Sequence, residues 1–261
     1  MHSKLIRLGH VPCSTHTIPE LLEEVKFLIK KPGAQPRTLL CVNAHIYRLA
    51  AANPRLRSIL EKARVVTADG IGIVLAAQLF GVKIAERCNM TEAFRAFLQA
   101  KDFPSTEAVL FGVSKEEAYL ASRRINQISS HCKVVAHEHG FLPEDRYIQL
   151  CAKYPQCQFV FVGMGTPRTE YVSDSLARSF PRKIVWGVGA GTLRIFAGTM
   201  REAPLFWRRA GLQWLYRLLR DPRNLWERYT IGHMQFMWRV LRARFQTNRR
   251  RSRTPLKERQ A

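Results

Sequence analysis

Hydrophobic positions fall into short β-branched or aromatic runs, separated by longer stretches in which apolar residues recur every three or four positions. The runs predict strands at 39–42, 65–67, 109–111, 133–135, 159–162 and 184–186. The stretches between them predict helices over 44–60, 71–80, 91–101, 115–129, 144–153 and 168–179. This alternation implies an α/β class: a Rossmann-like, mainly parallel sheet with helices on both faces. A second pattern follows the last strand. Leu212, Leu215, Leu219, Met234, Met237, Trp238, Leu241 and Phe245 recur at helical steps with arginines between them. The chain therefore reads as an α/β core over 1–200 and a basic helical appendage over 201–261 whose last stretch, 247–261, is expected to be disordered.

Ligands of an open parallel sheet bind beyond the carboxyl ends of its strands. Just past the six strands stand Asn43, Asp69-Gly70, Gly112, His139-Gly140, Gly163 with Gly165, and Gly187 with Gly189. Backbone contacts to a phosphate or nucleotide are expected at Gly70, Gly112, Gly140, Gly163, Gly165 and Gly189, where glycine lets a ligand approach closely. Asp69-Gly70 has two readings: a turn whose Asp caps the next helix, or a carboxylate at the ligand edge. The stretch GVGAG, 187–191, lacks GxGxxG spacing and is no dinucleotide fingerprint.

Charge sharpens the appendage. Of the net +22, +12 lies in 201–261, where 16 Lys and Arg face 4 Asp and Glu. Such a tail suits a polyanion: lipid headgroups, nucleic acid or a phosphorylated substrate. No RRM, KH or zinc-finger pattern accompanies it, so nucleic acid is not the expected partner. The six cysteines have no metal-ligand spacing and are expected to be reduced and buried. His137 and His139 flank Glu138 without a third ligand, so neither metal nor cofactor is expected. The start, MHSKLIRLGHVPC, lacks an apolar signal-peptide region, and the longest apolar run, near 71–82, is interrupted by Gln78. A cytoplasmic protein is expected.

In register along the chain stand CVNAHIYRLAAANPRLRSILEKARVVTADGIGIV, AERCNMTEAF, HEHGFL, FVGMGTPRTEYV, GVGAGTLRIFAGTMREAP and GLQWLYRLLRDPRNLWERY. Over roughly 39–229 this resembles the WecG/TagA/CpsF family of bacterial glycosyltransferases, glycosyltransferase family 26. The most specific pieces are the Ala-Asp-Gly junction, Gly-x-Gly-x-Pro-[KR]-x-Glu, and Leu-x-Trp-Leu-Tyr-Arg with its downstream Arg-Tyr. The resemblance implies an inverting, metal-independent transfer of a sugar from a UDP-sugar to a polyprenyl-diphosphate-linked saccharide. It also implies a peripheral position on the inner face of the cytoplasmic membrane, an anionic surface that the appendage binds. N-acetylmannosamine, its uronic acid and glucose remain open as the donor sugar, and a homo-oligomer remains open as the assembly.

The resemblance also assigns roles. Asp69 matches the proposed general base, which takes the proton of the attacking hydroxyl. Arg87, Arg217 and Arg228 match arginines that reach the substrate or its diphosphate, for which a guanidinium fork is suited. Asn43 matches a donor-sugar contact and also reads as a helix N-cap. Glu170 matches a residue that holds a sugar hydroxyl or stabilises the start of helix 168–179. Thr169 stands among the substrate contacts where the family usually has Gln. Other departures are Cys41 for Thr, Met90 for Gly, Arg194 for Asp, Glu202 for Arg and Gln213 for Glu. The reversals at Arg194 and Glu202 suggest a swapped pair. These departures keep a second reading in view: a non-catalytic relative that binds a nucleotide sugar or lipid.

Overall fold

A computed structural model describes residues 5–253, with side chains through residue 246. Eight strands form one sheet: β1 (Leu5–Leu8), β2 (Val11–Ser14), β3 (Thr38–Val42), β4 (Val65–Ala68), β5 (Thr106–Gly112), β6 (Cys132–Glu138), β7 (Phe159–Gly163) and β8 (Ile184–Gly187). Their spatial order is β1-β2-β4-β3-β8-β7-β5-β6, and every pairing is parallel except β1 with β2. Parallel strands covered on both faces read as unbroken apolar runs, which is why β3, β4, β5, β7 and β8 stood out in sequence, while β6, at the sheet edge, showed only a short apolar run.

The alternation of side chains divides the core. Leu110, Phe159, Phe161, Ile184 and Trp186 project to one face, while Val109, Phe111, Val160, Val162 and Val185 project to the other. The first face is covered by α1 (Ile18–Lys30), α5 (Met90–Gln99), α6 (Lys115–Ile128) and α9 (Ala190–Ala197). There Phe94 stands edge-on to Trp186 and Phe161 at 5.6 and 4.9 Å between ring centres. The opposite face carries α2 (Ala44–Ala52), α3 (Pro54–Lys62), α4 (Ile71–Leu79), α7 (Glu144–Ala152) and α8 (Arg168–Ser179).

Three features differ from the pattern reading. The expected helix 44–60 is two helices, because Asn53 precedes Pro54 and is pushed into an extended conformation. Its side chain then caps α3, whose first residue is that proline. The hairpin of β1 and β2 carried no clear signal, being four residues per strand with Arg7 and Pro12 inside it. Helix α1 begins with a capping box in which Thr17 and Glu20 satisfy each other's backbone N–H groups.

Four further helices end the described chain: α10 (Leu205–Arg209), α11 (Gln213–Arg220), α12 (Pro222–Tyr229) and α13 (Ile231–Arg253). Helix α13 lies on α2, burying Phe236, Val240 and Ala243. The Phe236 ring meets Tyr47 edge-on at 5.2 Å. Burying a Phe or Val side chain contributes about 1.5–3 kcal/mol, enough to fix the helix to the core. Helical backbone continues through Arg253, so the expected disorder of 247–261 does not hold for its first part, and 254–261 lie outside the described residues.

Candidate functional site

The ends of β4, β3, β8 and β7 are neighbours in the sheet, so their following residues gather at one edge. The Asp69 N–H donates to the Val42 carbonyl at 2.9 Å, tying the β4 junction to the end of β3. Of the two readings of Asp69-Gly70, the capping one fails: α4 begins after Gly70 with no side-chain cap. The Asp69 carboxylate instead turns toward α5, where Oδ1 accepts a 2.8 Å hydrogen bond from Asn89 Nδ2.

Asp69 lies deep in the fold yet keeps partial access to solvent. Burial raises its pKa above the ordinary carboxylate value, opposed by Arg217, Arg87, the Asn89 hydrogen bond and the Met90 N–H. Arg217 comes from α11, where its guanidinium lies 3.7 Å from the position a Cβ on Gly191 would take, over the first turn of α9. Four residues earlier on the same helix face, Gln213 Oε1 accepts from Asn89 Nδ2 at 3.4 Å and Arg87 Nη1 at 3.3 Å. Arg87 also approaches Glu92 at 3.6 Å. Core and C-terminal helices thus meet at Asp69.

Asn43 uses its Oδ1 to cap α2, accepting from the Ile46 N–H at 3.0 Å. Among the described residues its Nδ2 has no partner and is the group left for a ligand. Arg228 lies close enough to the neighbouring His45 to help burial depress that imidazole to about 4. The Arg228 Nε is buried without a hydrogen-bond partner among the described residues.

Glu170 occupies the next junction. It is 3% exposed, its Oε1 accepts from the Thr166 hydroxyl at 3.0 Å, and its Oε2 is buried without a partner among the described residues. Burial pushes its pKa up to about 7. The Cys41 thiol is raised well above its ordinary value, first by burial and then by the charges of Asp69 and Glu170. That residue therefore stands near both carboxylates as a neutral thiol. Thr169 is buried, and its hydroxyl accepts from the Met164 N–H at 2.9 Å, shaping the glycine loop.

The six junction glycines separate into two kinds. A Cβ on Gly112 would stand 2.1 Å from the Gly163 carbonyl oxygen, and one on Gly163 would stand 2.5 Å from Leu193. These two and the buried Gly140 serve close packing of the strand ends. The N–H groups of Gly140 and Gly189 already donate to Val113 and Val162, at 2.9 and 3.2 Å, and are not free for a phosphate as expected. Gly70 and Gly165 face open space.

One further expectation changes. Arg194 and Glu202 are not a swapped pair: Arg194 meets Glu117 at 3.3 Å, while Glu202 meets Arg95 at 2.8 Å and Arg208 at 3.3 Å. His137 is exposed beside Ser122 and Tyr119, away from His139, whose Nδ1 accepts from the Phe141 N–H. Sequence reasoning also passed over Asn89. A helix-capping Asn is a common local feature, and its contact with Asp69 has no local signature.

Comparison with known proteins places the chain in a family. The pattern of the Glycosyl transferase WecG/TagA/CpsF family matches residues 6–250. Over 207 residues the chain is 27% identical to an N-acetylglucosaminyldiphosphoundecaprenol N-acetyl-beta-D-mannosaminyltransferase of Bacillus spizizenii, covering 78% of each protein. It is 26% identical over 233 residues to a protein of that same name from Staphylococcus aureus, covering 87% of this chain and 89% of the relative.

Proposed function

The chain belongs to the glycosyl transferase WecG/TagA/CpsF family, and on that premise we propose that it moves an N-acetylmannosamine-type sugar from a UDP-sugar to a polyprenyl-diphosphate-linked saccharide. The observation that carries this reading is the meeting of a buried carboxylate, Asp69, with guanidiniums from the core (Arg87) and from a C-terminal helix (Arg217). Asp69 takes the proton of the acceptor hydroxyl as that oxygen forms its bond to the anomeric carbon. The bond from that carbon to the diphosphate oxygen breaks on the opposite face, so configuration inverts, and the electron pair leaves with UDP. Negative charge grows on the diphosphate, where Arg217 and Arg228 stabilise it better than a water-exposed cation would. The Gly70 and Gly165 junctions admit the nucleotide backbone to backbone. Asn43 Nδ2 and Glu170 Oε2 are the polar atoms left for the donor sugar. A raised Asp69 pKa fits a base that must accept a proton near neutral pH. A donor set of three guanidiniums fits metal-independent transfer.

Among the described residues no helix is long and apolar enough to cross a membrane. Residues 201–261 act in this reading as an appendage that holds the enzyme on the inner face of the cytoplasmic membrane, where its lipid-linked acceptor resides.

The test is UDP release from a panel of UDP-sugars with a short-chain polyprenyl-diphosphate-sugar acceptor and anionic vesicles. Acceptor-dependent release from one donor is expected, lost in Asp69→Asn while UDP still binds. An Asn variant with normal turnover removes Asp69 from the mechanism, and release from no donor across several acceptors overturns the transferase reading.

A further inference from the structure

Helix α13 presents three faces, which its 3.6-residue period separates cleanly. Phe236, Val240 and Ala243 point into the core. Met234, Met237, Trp238, Leu241 and Phe245 lie on the opposite side, exposed by 39% to 73%. Between them, on one flank, run Gln235, Arg239, Arg242 and Gln246, spaced four, three and four residues apart. That flank forms one wall of a groove of about 500 Å³, whose other wall holds His10 of the β1–β2 turn and Tyr47 of α2.

The groove is built for an anion. None of its lining residues is acidic, and α13 carries no Asp or Glu anywhere along its length. Among the described residues neither Arg239 nor Arg242 has a carboxylate partner. Tyr47 is 2% exposed, and its hydroxyl has no hydrogen-bond partner among the described residues. The ring is buried, but the hydroxyl opens on the groove beside two guanidiniums that have no carboxylate partner, where it can donate to a bound anion. Arg239 lies near enough to that hydroxyl to counter part of the effect of burial on it.

We propose that this groove binds the phosphodiester headgroup of an anionic membrane lipid, held by Arg239, Arg242 and the Tyr47 hydroxyl. The placement argues for a lipid rather than a soluble phosphate. The apolar face and the groove lie about a quarter turn apart on one helix, with Trp238 shared between them. An interfacial helix sinks about 5–10 Å into the acyl boundary, which is about the radius of a helix with its side chains. When the apolar face sinks to that depth, the flank stands at the level of the lipid phosphates. A soluble ligand would need the arginines but not the exposed apolar row beside them. The inference adds a defined headgroup site to the general membrane attachment of the proposed function, and it needs no transfer activity.

The experiment is sedimentation of the full chain with vesicles of phosphatidylglycerol in phosphatidylcholine, repeated with added inorganic phosphate or glycerol 3-phosphate. Arg239→Gln with Arg242→Gln is compared with Arg220→Gln with Arg223→Gln, which removes the same charge from exposed positions on α11 and α12. The groove pair is expected to lose at least about tenfold more vesicle affinity than the matched pair, whose loss is diffuse attraction only. Tyr47→Phe, which leaves net charge unchanged, is expected to lose about fivefold, the worth of one hydrogen bond. Equal losses from both arginine pairs, with no effect of Tyr47→Phe, overturn the site in favour of diffuse attraction. Soluble phosphates that bind through Arg239 and Arg242 while vesicle binding ignores those residues overturn the lipid assignment. Asp69→Asn is expected to bind vesicles like the unaltered chain, so failure here is distinguishable from failure of the transferase reading.

Discussion

Replacing Asn89 by Ser isolates what holds Asp69, the proposed base. Asn89 is 7% exposed; it donates to Asp69 at 2.8 Å and, through Oδ1, caps α5 by accepting from the Glu92 N–H at 3.2 Å. Serine keeps a capping oxygen but cannot span the distance to Asp69, so α5 should lose no more than a few tenths of a kcal/mol. The lost bond goes to an ionised carboxylate and is worth about 1.5–3 kcal/mol, roughly ten- to 150-fold in rate where ionisation of Asp69 limits turnover. The sign follows from the chemistry. Asn89 favours the charged form of Asp69, so its removal raises that pKa further and moves the acid limb of the pH–rate profile to higher pH. The assay is kcat/KM for UDP release across pH, with a thermal melt of each variant. Asn89→Asp should lose more, because two carboxylates in contact cannot both ionise. An unmoved acid limb in Asn89→Ser, or a loss equal at every pH with a collapsed melt, would refute the positioning role.

Two other outcomes follow from burial and close packing. Glu170 has a folded pKa of about 7 against an ordinary 4.5, so its contribution to stability is greatest below pH 4.5 and is lost as pH rises to about 7. Glu170→Gln should match the unaltered chain in acid and gain up to about 3 kcal/mol above pH 7, read by urea unfolding at both ends; a pH-independent difference contradicts the buried carboxyl. Gly112→Ala should unfold the protein or cost more than about 3 kcal/mol, since its Cβ meets a backbone oxygen at 2.1 Å. Gly165→Ala, with φ of 85° but open space around it, should cost about 1–2 kcal/mol, and equal melting temperatures for the two would contradict the packing argument.

The strands β3 to β8 and the residues at their junctions were determined by local sequence. A strand buried on both faces must be apolar throughout, and the turn into the next helix must tolerate Asp, Asn or Gly. Asn43, Asp69, Gly70 and Gly165 were therefore legible at the carboxyl edge of the sheet before any contact was known. Pattern alone could not tell that Asp69 does not cap its helix. Nor could it place Asn89 against Asp69, because that contact joins residues 20 positions apart on different elements. The partners of the reversed charges were equally hidden: Arg194 finds Glu117, and Glu202 finds Arg95 and Arg208. Charges reach partners that packing brings near, and spacing along the chain does not record that.

The last helix shows the same division most plainly. Its sequence has apolar residues on two faces, so periodicity fixes a helix and leaves open which of them is buried. The surface made by α2 and α4 decides it, because Tyr47 of α2 and Gly72 of α4 leave room for the Phe236 ring. Once Phe236 is seated, rotation about the helix axis is fixed. Met234, Trp238 and Phe245 then face outward, and Arg239 and Arg242 come to stand beside the groove. Composition made that tail cationic, but only packing gave its charges a direction.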